Sequence, residues 1–571
     1  MTEAAAPGSE PSLFARCARR PALSLLVLCL SIWLPGAVTL PPLDRDESRF
    51  AQASKQMIET GDLIDIRFST GVRYNKPVGI YWLQSASTKL LGDARHDQIW
   101  TYRIPSLLGG YLAVLLLYWC ARAFLEPETA LAAAALLASS VLLTAETQIA
   151  TTDAVLLATT LGAQAVLFRI YIASRDPGRQ MPGGALILAG WFAFALGVLV
   201  KGPVIVGVLG ATALAVSLWD RQWRWLKETR PLRGLLVTAL VVLPWAIAIA
   251  IQSHGAFYRQ SLGHDFGDKL VGGQESHGAP PGYYLALVTL TLWPAILFVL
   301  PSIRAAWRDR TSPPMRYLMA WAGAAWLMFE LVPTKLPHYI LPAYPALAIL
   351  AAAWVFDTSH AQATKGVRAL RAIAVFQFVL GLVAFAIVTV AAPAKFGAGI
   401  SWPLAAMAGA GAVVGLVAVS AYLRERRTHA LAASIAAAAI LIPLLTVGVA
   451  PRLEALWVSP RAAVLVVKDH RPGDPAPIIA GYVEPSLIFL LGTDTHVATG
   501  AGAAAIAAHQ GGLAIIEDRE RAAFLAGLGA RDSQAFPVDD LRGYDYSHGR
   551  KVHIIIYRVA AASPPTASPS E

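Results

Sequence analysis

The sequence predicts a polytopic α-helical membrane protein that carries a small α/β domain toward its C-terminus. Three observations predict it. Of 571 residues, 56% are hydrophobic and only 15% are charged, where a soluble domain carries about 25% charge. Several apolar runs reach the roughly 18–20 residues needed to cross about 30 Å of hydrocarbon. The Lys and Arg residues gather in short stretches between those runs, which is the positive-inside pattern of a membrane protein.

The runs predict about thirteen spans, near residues 22–41, 103–123, 128–145, 152–170, 184–200, 203–219, 234–252, 284–303, 316–333, 339–356, 371–391, 402–422 and 429–450. The first follows Arg16, Arg19 and Arg20. A cleaved signal peptide has the same charge pattern. This run is long, lacks a small-residue cleavage site and opens a series of further spans, so it is read as an uncleaved span. Starting from an inside N-terminus, the even-to-odd connections hold clusters such as Arg221, Arg224, Lys227, Arg230 and Arg233, or Arg424, Arg426 and Arg427. The short odd-to-even connections hold few cations, chiefly Lys201, Lys335 and Lys395. An odd span count then places the C-terminus outside. A net charge of +10 that is distributed in this way argues against nucleic acid as a partner. Cys17, Cys29 and Cys120 lie in or near apolar runs without metal-ligand spacing, so neither a disulfide framework nor a structural zinc is implied.

Three outside segments remain: 42–102, 252–283 and the chain from 451 onward. The last alternates β-rich runs (477–480, 513–516, 552–557) with helical patterns (461–469, 501–509, 519–525), which predicts an α/β domain over 451–560. The Ser-, Pro- and Ala-rich stretch 561–571 is expected to be disordered. Residues 1–450 form the membrane domain.

The first outside loop concentrates charge. Asp44, Asp46, Glu47 and Arg49 open a pattern in which Phe50, Ala53, Met57 and Ile58 recur at helical spacing, which predicts an amphipathic helix on the membrane surface that stops at Gly61. A second interfacial helix is expected over 73–84. Taken alone, the acids could simply cap the first helix and complement its dipole, and Lys76 before a proline could be a surface lysine.

The strings Asp46-Glu47-Ser48-Arg49-Phe50-Ala51, Thr60-Gly61-Asp62 and Tyr74-Asn75-Lys76-Pro77-Val78-Gly79-Ile80-Tyr81-Trp82 resemble the first outer loop of the bacterial aminoarabinose transferase and protein-mannosyltransferase-like family. Those proteins are GT-C glycosyltransferases that use polyprenyl-phosphate sugars. Further matches are Thr151-Thr152-Asp153-Ala154-Val155-Leu156-Leu157, Gly197-Val198-Leu199-Val200-Lys201-Gly202-Pro203-Val204, and the stretch 334–348 around Thr334-Lys335-Leu336-Pro337-His338-Tyr339. The resemblance covers the whole membrane region in order.

It implies a GT-C fold and an inverting transfer of a sugar, such as 4-amino-4-deoxy-L-arabinose or another pentose or hexose. The donor would be undecaprenyl phosphate, and the acceptor a lipid A-type or other envelope lipid at the periplasmic face of the inner membrane. It implies Asp46 as the catalytic carboxylate, Asp153 as a second functional acid, and Arg49, Lys76, Lys335 and Tyr339 as contacts of the donor phosphate. Glu47, Tyr74, Tyr81 and Lys201 are expected to face substrate, as are His264, Lys269, Glu275 and His277 of the second loop, unless that loop only closes over the cavity. Asp44 is an alternative to Asp46 as base. As the glycosidic bond breaks, negative charge builds on the phosphate, so fixed cations lower the barrier, while a carboxylate near the acceptor hydroxyl can serve as general base. One phosphate needs no cofactor. Family members often carry Glu where this chain has Asn75, which leaves a divalent metal and the identity of the sugar open. A monomer is expected. Two other readings stand beside this one: a protein O-mannosyltransferase with a polypeptide acceptor, and a lipid-linked sugar transporter without chemistry.

Overall fold

The computed structural model describes residues 12–261, 263, 278–357 and 365–561. Among these, ten helices are long and apolar enough to cross a membrane, and an eleventh span forms if the bent pair Pro127–Ala138 and Val141–Thr147 is counted as one. The chain is a multi-pass membrane protein. Two of the thirteen predicted segments take another form. The one near 284–303 is two short helices, Tyr283–Thr291 and Ile296–Arg308. The one near 316–333 is the helix Pro313–Leu331, which carries Arg316 and Glu330 and falls outside that apolar set. Proline opens many of the helices, as at Pro21, Pro127, Pro203, Pro231 and Pro313. There its missing N–H costs nothing and its fixed φ favours the first turn.

Large apolar side chains such as Leu232, Ile251 and Phe376 point outward, as lipid-facing residues should. The alanine run 130–138 is buried, because small side chains let helix backbones approach closely where lipid removes the hydrophobic drive for association.

The loop after the first span folds onto one end of the bundle. Its helix Asp46–Thr60 has Asp46 and Glu47 in the first turn and ends at Gly61 with φ 73°, a left-handed stop that glycine adopts without strain. A two-stranded hairpin follows, β1 (Arg67–Phe68) and β2 (Gly71–Val72), and then the helix Gly79–Leu91. Lys76 and Pro77 therefore lie in the turn before that helix. Phe50, Met57, Tyr74, Val78, Ile80 and Tyr81 pack on Val155, Leu156, Leu199, Val200, Trp245 and Ile249 of three spans. A side chain on Gly79 would strike the Leu199 carbonyl at 2.8 Å, so the close approach of the second loop helix requires glycine there.

The helix 46–60 does not lie open on a membrane surface, as its amphipathic pattern suggests. Its polar residues Gln52, Ser54, Lys55 and Gln56 are buried as well, because the C-terminal domain covers it. Phe489 of that domain packs with Ala51, Ile99, Tyr102 and Ala150, and Gln52 donates to Thr493.

The C-terminal α/β domain is a five-stranded sheet of β3 (Ile478–Ala480), β4 (His496–Val497), β5 (Gly512–Glu517), β6 (Ala535–Asp545) and β7 (Arg550–Val559), in the order β4-β3-β5-β7-β6. The first three strands are parallel and the last two antiparallel to their neighbours. Ile479, Leu513, Ile515, Ile554 and Ile556 face the helices Val458–Asp469 and Pro485–Leu491. The alternate residues Ile478, Ala514, Ile516, Ile555 and Tyr557 face Gly500–Gln510 and Asp518–Gly529. Both faces are covered, which is why β5 is buried throughout and reads as a continuous apolar run.

Candidate functional site

The ends of five spans and the loop turn at 75–77 line a cavity of about 400 Å³. One end is polar, with Asn75, Lys76, Asp153, Lys201, His338 and Tyr339. The rest is apolar, with Leu156, Val198, Val242, Trp245, Phe257 and Phe329 among its walls.

Local sequence explains the polar end. Asp153 opens the helix Asp153–Arg175, where a carboxylate complements the dipole. Lys201 closes the helix Gly184–Lys201, and Gly202, with φ 59°, turns the chain into the next helix at Pro203. The two meet directly: Lys201 Nζ lies 2.6 Å and 2.8 Å from the two Asp153 oxygens, both side chains being buried. Thr152 adds a hydroxyl bond of 3.0 Å to Asp153. His338 spans two acids, with Nδ1 3.7 Å from Glu146 and Nε2 3.9 Å from Asp153. Glu146 also accepts from Thr151 Oγ1 at 2.9 Å. Lys201 Nζ sits 5.4 Å from the centre of the Tyr339 ring. Lys76 Nζ donates to the Asn75 carbonyl at 3.0 Å.

Asp46 is not in the cavity wall. Its carboxylate is 58% exposed, with Arg73 at 4.0 Å, and it acts electrostatically on both Glu146 and His338. It therefore lies near the polar end, with its carboxylate exposed. Arg49 is half-buried on the same helix and does not line the cavity.

Several predicted residues have other partners. Glu47 is buried against Arg103, its Oε1 2.7 Å from Nε. It also accepts from the backbone N–H groups of Ala150 and Leu43, so it joins the loop to the segment before Asp153 instead of facing substrate. Lys335 donates to the carbonyls of Glu330 at 2.6 Å and Val332 at 2.9 Å. It closes the end of the helix 313–331 and does not line the cavity, so it is not placed as a phosphate contact. Tyr74 is buried and donates to Asp65 at 2.7 Å, where burial pushes its hydroxyl up to about 12, helped by Asp65. Tyr81 is buried against Phe50. His264, Lys269, Glu275 and His277 lie outside the described residues.

Sequence reasoning passed over two members of the site. Glu146 sits just beyond a predicted span, where an ionisable residue is itself a functional signal. His338 stands inside the recognised turn but reads as a membrane-interface residue. Glu146, Asp153 and His338 each offer a ligand atom, all within 4.8 Å of one another. They fit a divalent cation by residue type, but Lys201 already neutralises Asp153 and a cation would compete with that ammonium.

Asp44, on the far side of Asp46, points away from the cavity. Its carboxylate accepts from Ser486 Oγ of the C-terminal domain, and burial pushes it up to about 6. It is a poorer candidate than Asp46 for a group that meets substrate.

Residues 20–256 match the model of a family described as dolichyl-phosphate-mannose-protein mannosyltransferase. The undecaprenyl phosphate-α-4-amino-4-deoxy-L-arabinose arabinosyl transferase of Edwardsiella ictaluri is 31% identical over 334 residues, 58% of each chain. The match thus spans less than two thirds of that relative's length. The crystal structure of ArnT from Cupriavidus metallidurans bound to undecaprenyl phosphate superimposes with a TM-score of 0.74 at 18% identity, over 95% of this chain and 99% of that one. At that identity the likeness is one of fold, and it extends over nearly the whole of both chains. An archaeal neighbour, the Archaeoglobus fulgidus oligosaccharyltransferase in its apo form, aligns at a TM-score of 0.51 and 13% identity over 85% of this chain and 65% of that one, a likeness of fold alone.

Proposed function

We propose that this protein is a GT-C glycosyltransferase that transfers a sugar from a polyprenyl phosphate to a lipid A-type or other envelope lipid at the periplasmic face of the inner membrane, with the N-terminus cytoplasmic and the C-terminus periplasmic. The cavity carries this reading. Its apolar walls suit a prenyl chain, and its polar end, with Lys76 and Tyr339, suits the phosphate of such a lipid. Lys76 supplies the cation that meets the charge building on the leaving phosphate, and Arg49 on the neighbouring helix adds positive potential. Asp46, exposed beside that end, takes the proton of the acceptor hydroxyl as it attacks the anomeric carbon, and the freed polyprenyl phosphate leaves with the bonding electrons. Asp153, held by Lys201 and His338, orients the sugar. Undecaprenyl phosphate, named for the aminoarabinose relatives and bound in the Cupriavidus structure, is the expected donor lipid. Asn75 leaves the sugar to be determined.

The test is Asp46→Asn, with transfer measured from a polyprenyl-phosphate sugar. Turnover should fall by about 10²- to 10⁴-fold, the usual contribution of a general base. Unchanged turnover in folded protein would remove Asp46 from this role. Binding or flipping of the donor without sugar release would replace the enzyme by a lipid carrier. The family model's description favours a second reading, a polypeptide acceptor; competition between peptide and lipid A acceptors separates the two.

A further inference from the structure

The C-terminal domain grips the chain immediately before Asp46. Asp44 accepts from Ser486 Oγ, and the Asp44 backbone N–H donates to the Tyr546 hydroxyl at 2.7 Å. Arg45 donates to the Ser547 carbonyl. With that proton on Asp44, Ser486 Oγ accepts from the Ser459 hydroxyl 2.6 Å away, so the grip is anchored in the domain's own helices. Tyr546 and Ser547 sit in the turn between β6 and β7.

Arg45 has φ 61° and ψ −115°, a backbone conformation that side-chain-bearing residues rarely adopt and glycine adopts freely. Such a conformation persists only where surrounding contacts hold it. Here the C-terminal domain contacts both Asp44 and Arg45, and the Arg45 carbonyl also accepts from the Arg49 N–H of the loop helix. The next residue is Asp46, the first of its helix, so the unusual torsion at Arg45 sets where that carboxylate points.

We infer that the C-terminal domain is a positioning element of the site: Ser486, Tyr546 and the Ser547 carbonyl hold the Asp44–Arg45 backbone so that Asp46 is aimed at the polar end of the cavity. The inference rests on the proposed role of Asp46. Ser486, Tyr546 and Arg45 are positioning residues, since none of them lines the cavity.

The experiment uses the full-length protein in nanodiscs with a polyprenyl-phosphate sugar donor, and measures kcat and KM for Ser486→Ala, Ser486→Thr, Tyr546→Phe, Arg45→Ala, Arg45→Gly and Asp46→Asn. Misaiming a reacting group by about 1 Å costs up to about a hundredfold, so Ser486→Ala, Tyr546→Phe and Arg45→Ala should each lower kcat about ten- to a hundredfold. The donor KM should stay within about twofold, as expected when an interaction made only in the transition state is lost. Ser486→Thr, which keeps the hydroxyl, should recover most of the rate. Arg45→Gly and Arg45→Ala lose the same bond to Ser547 but differ in backbone tolerance, so the glycine variant should be the faster. With rates expressed per folded molecule, a merely structural role predicts no such order. Equal rates for the two Arg45 variants, or full kcat in Ser486→Ala and Tyr546→Phe while Asp46→Asn is inactive, would overturn the inference. Full activity in Asp46→Asn would instead overturn the assignment of the base.

Discussion

Replacing Glu47 by alanine would strip two charge-assisted bonds from a guanidinium that has no exposed side-chain surface. Arg103 meets Glu47 at 2.7 Å through Nε and 2.8 Å through a terminal nitrogen, and the two side chains are 0% and 1% exposed. The remaining donors of Arg103 stay on the carbonyls of Ala37, Leu40 and Pro41, which are neutral and cannot balance the charge. Removing one partner of a buried pair costs about 3–5 kcal/mol, or roughly 10²- to 4×10³-fold in the folding equilibrium at about 1.4 kcal/mol per decade. The Ala150 and Leu43 N–H groups lose an acceptor at the same time, so the expected loss is at the upper end of that range. The assay is reversible unfolding in mixed micelles for Glu47→Ala, Arg103→Ala and the double variant. The double variant should be less damaged than the sum of the singles, because it leaves no unpaired charge. A coupling energy below about 0.5 kcal/mol, the level at which independent sites simply add, would refute the view that this pair holds the loop to the bundle.

Three further outcomes follow from the geometry. Lys201→Met leaves the buried Asp153 without its bidentate partner and should abolish transfer, with Asp153→Asn partly restoring folding in the double variant; thermal unfolding and turnover read this together. Lys335→Gln should lower the unfolding midpoint while leaving the donor KM unchanged, and a selective rise in KM would restore Lys335 to the phosphate site. In the C-terminal domain, burial with Asp44 and Asp545 pushes the Glu484 carboxyl up to about 8. A carboxyl with a folded value above its unfolded one, about 4.3, binds its proton more tightly when folded, so stability falls as pH rises from about 4 to about 8. Glu484→Gln should therefore raise the unfolding midpoint at pH above about 8 and leave it unchanged near pH 4; a rise of equal size at both would show that the carboxyl's charge is not the cause.

The β6 strand shows where local reading fails. Ala535–Asp545 contains Pro537, Asp539, Asp540 and Gly543, and its register slips between Pro537 and Asp539. It is an edge strand, the place where proline and polar residues are tolerated, so no apolar alternation marks it. The C-terminal helices and β5 are legible because their apolar periods are clean.

The composition and the spacing of apolar runs by themselves determined the membrane class, the order of most spans, the first loop helix with its stop at Gly61, and the presence of a C-terminal α/β domain. These are consequences of local period and of the length of chain needed to cross a bilayer, and both are written residue by residue. Tertiary structure alone decided which polar groups meet. Lys201 and Asp153 are 48 positions apart, Glu47 and Arg103 are 56 apart, and Asp44 and Ser486 are 442 apart. Each of these residues has the same composition signal as a surface charge or a helix cap. Only the packing of spans and domains, which removes water from between them, separates a buried ion pair such as Glu47–Arg103 from an open carboxylate such as Asp46.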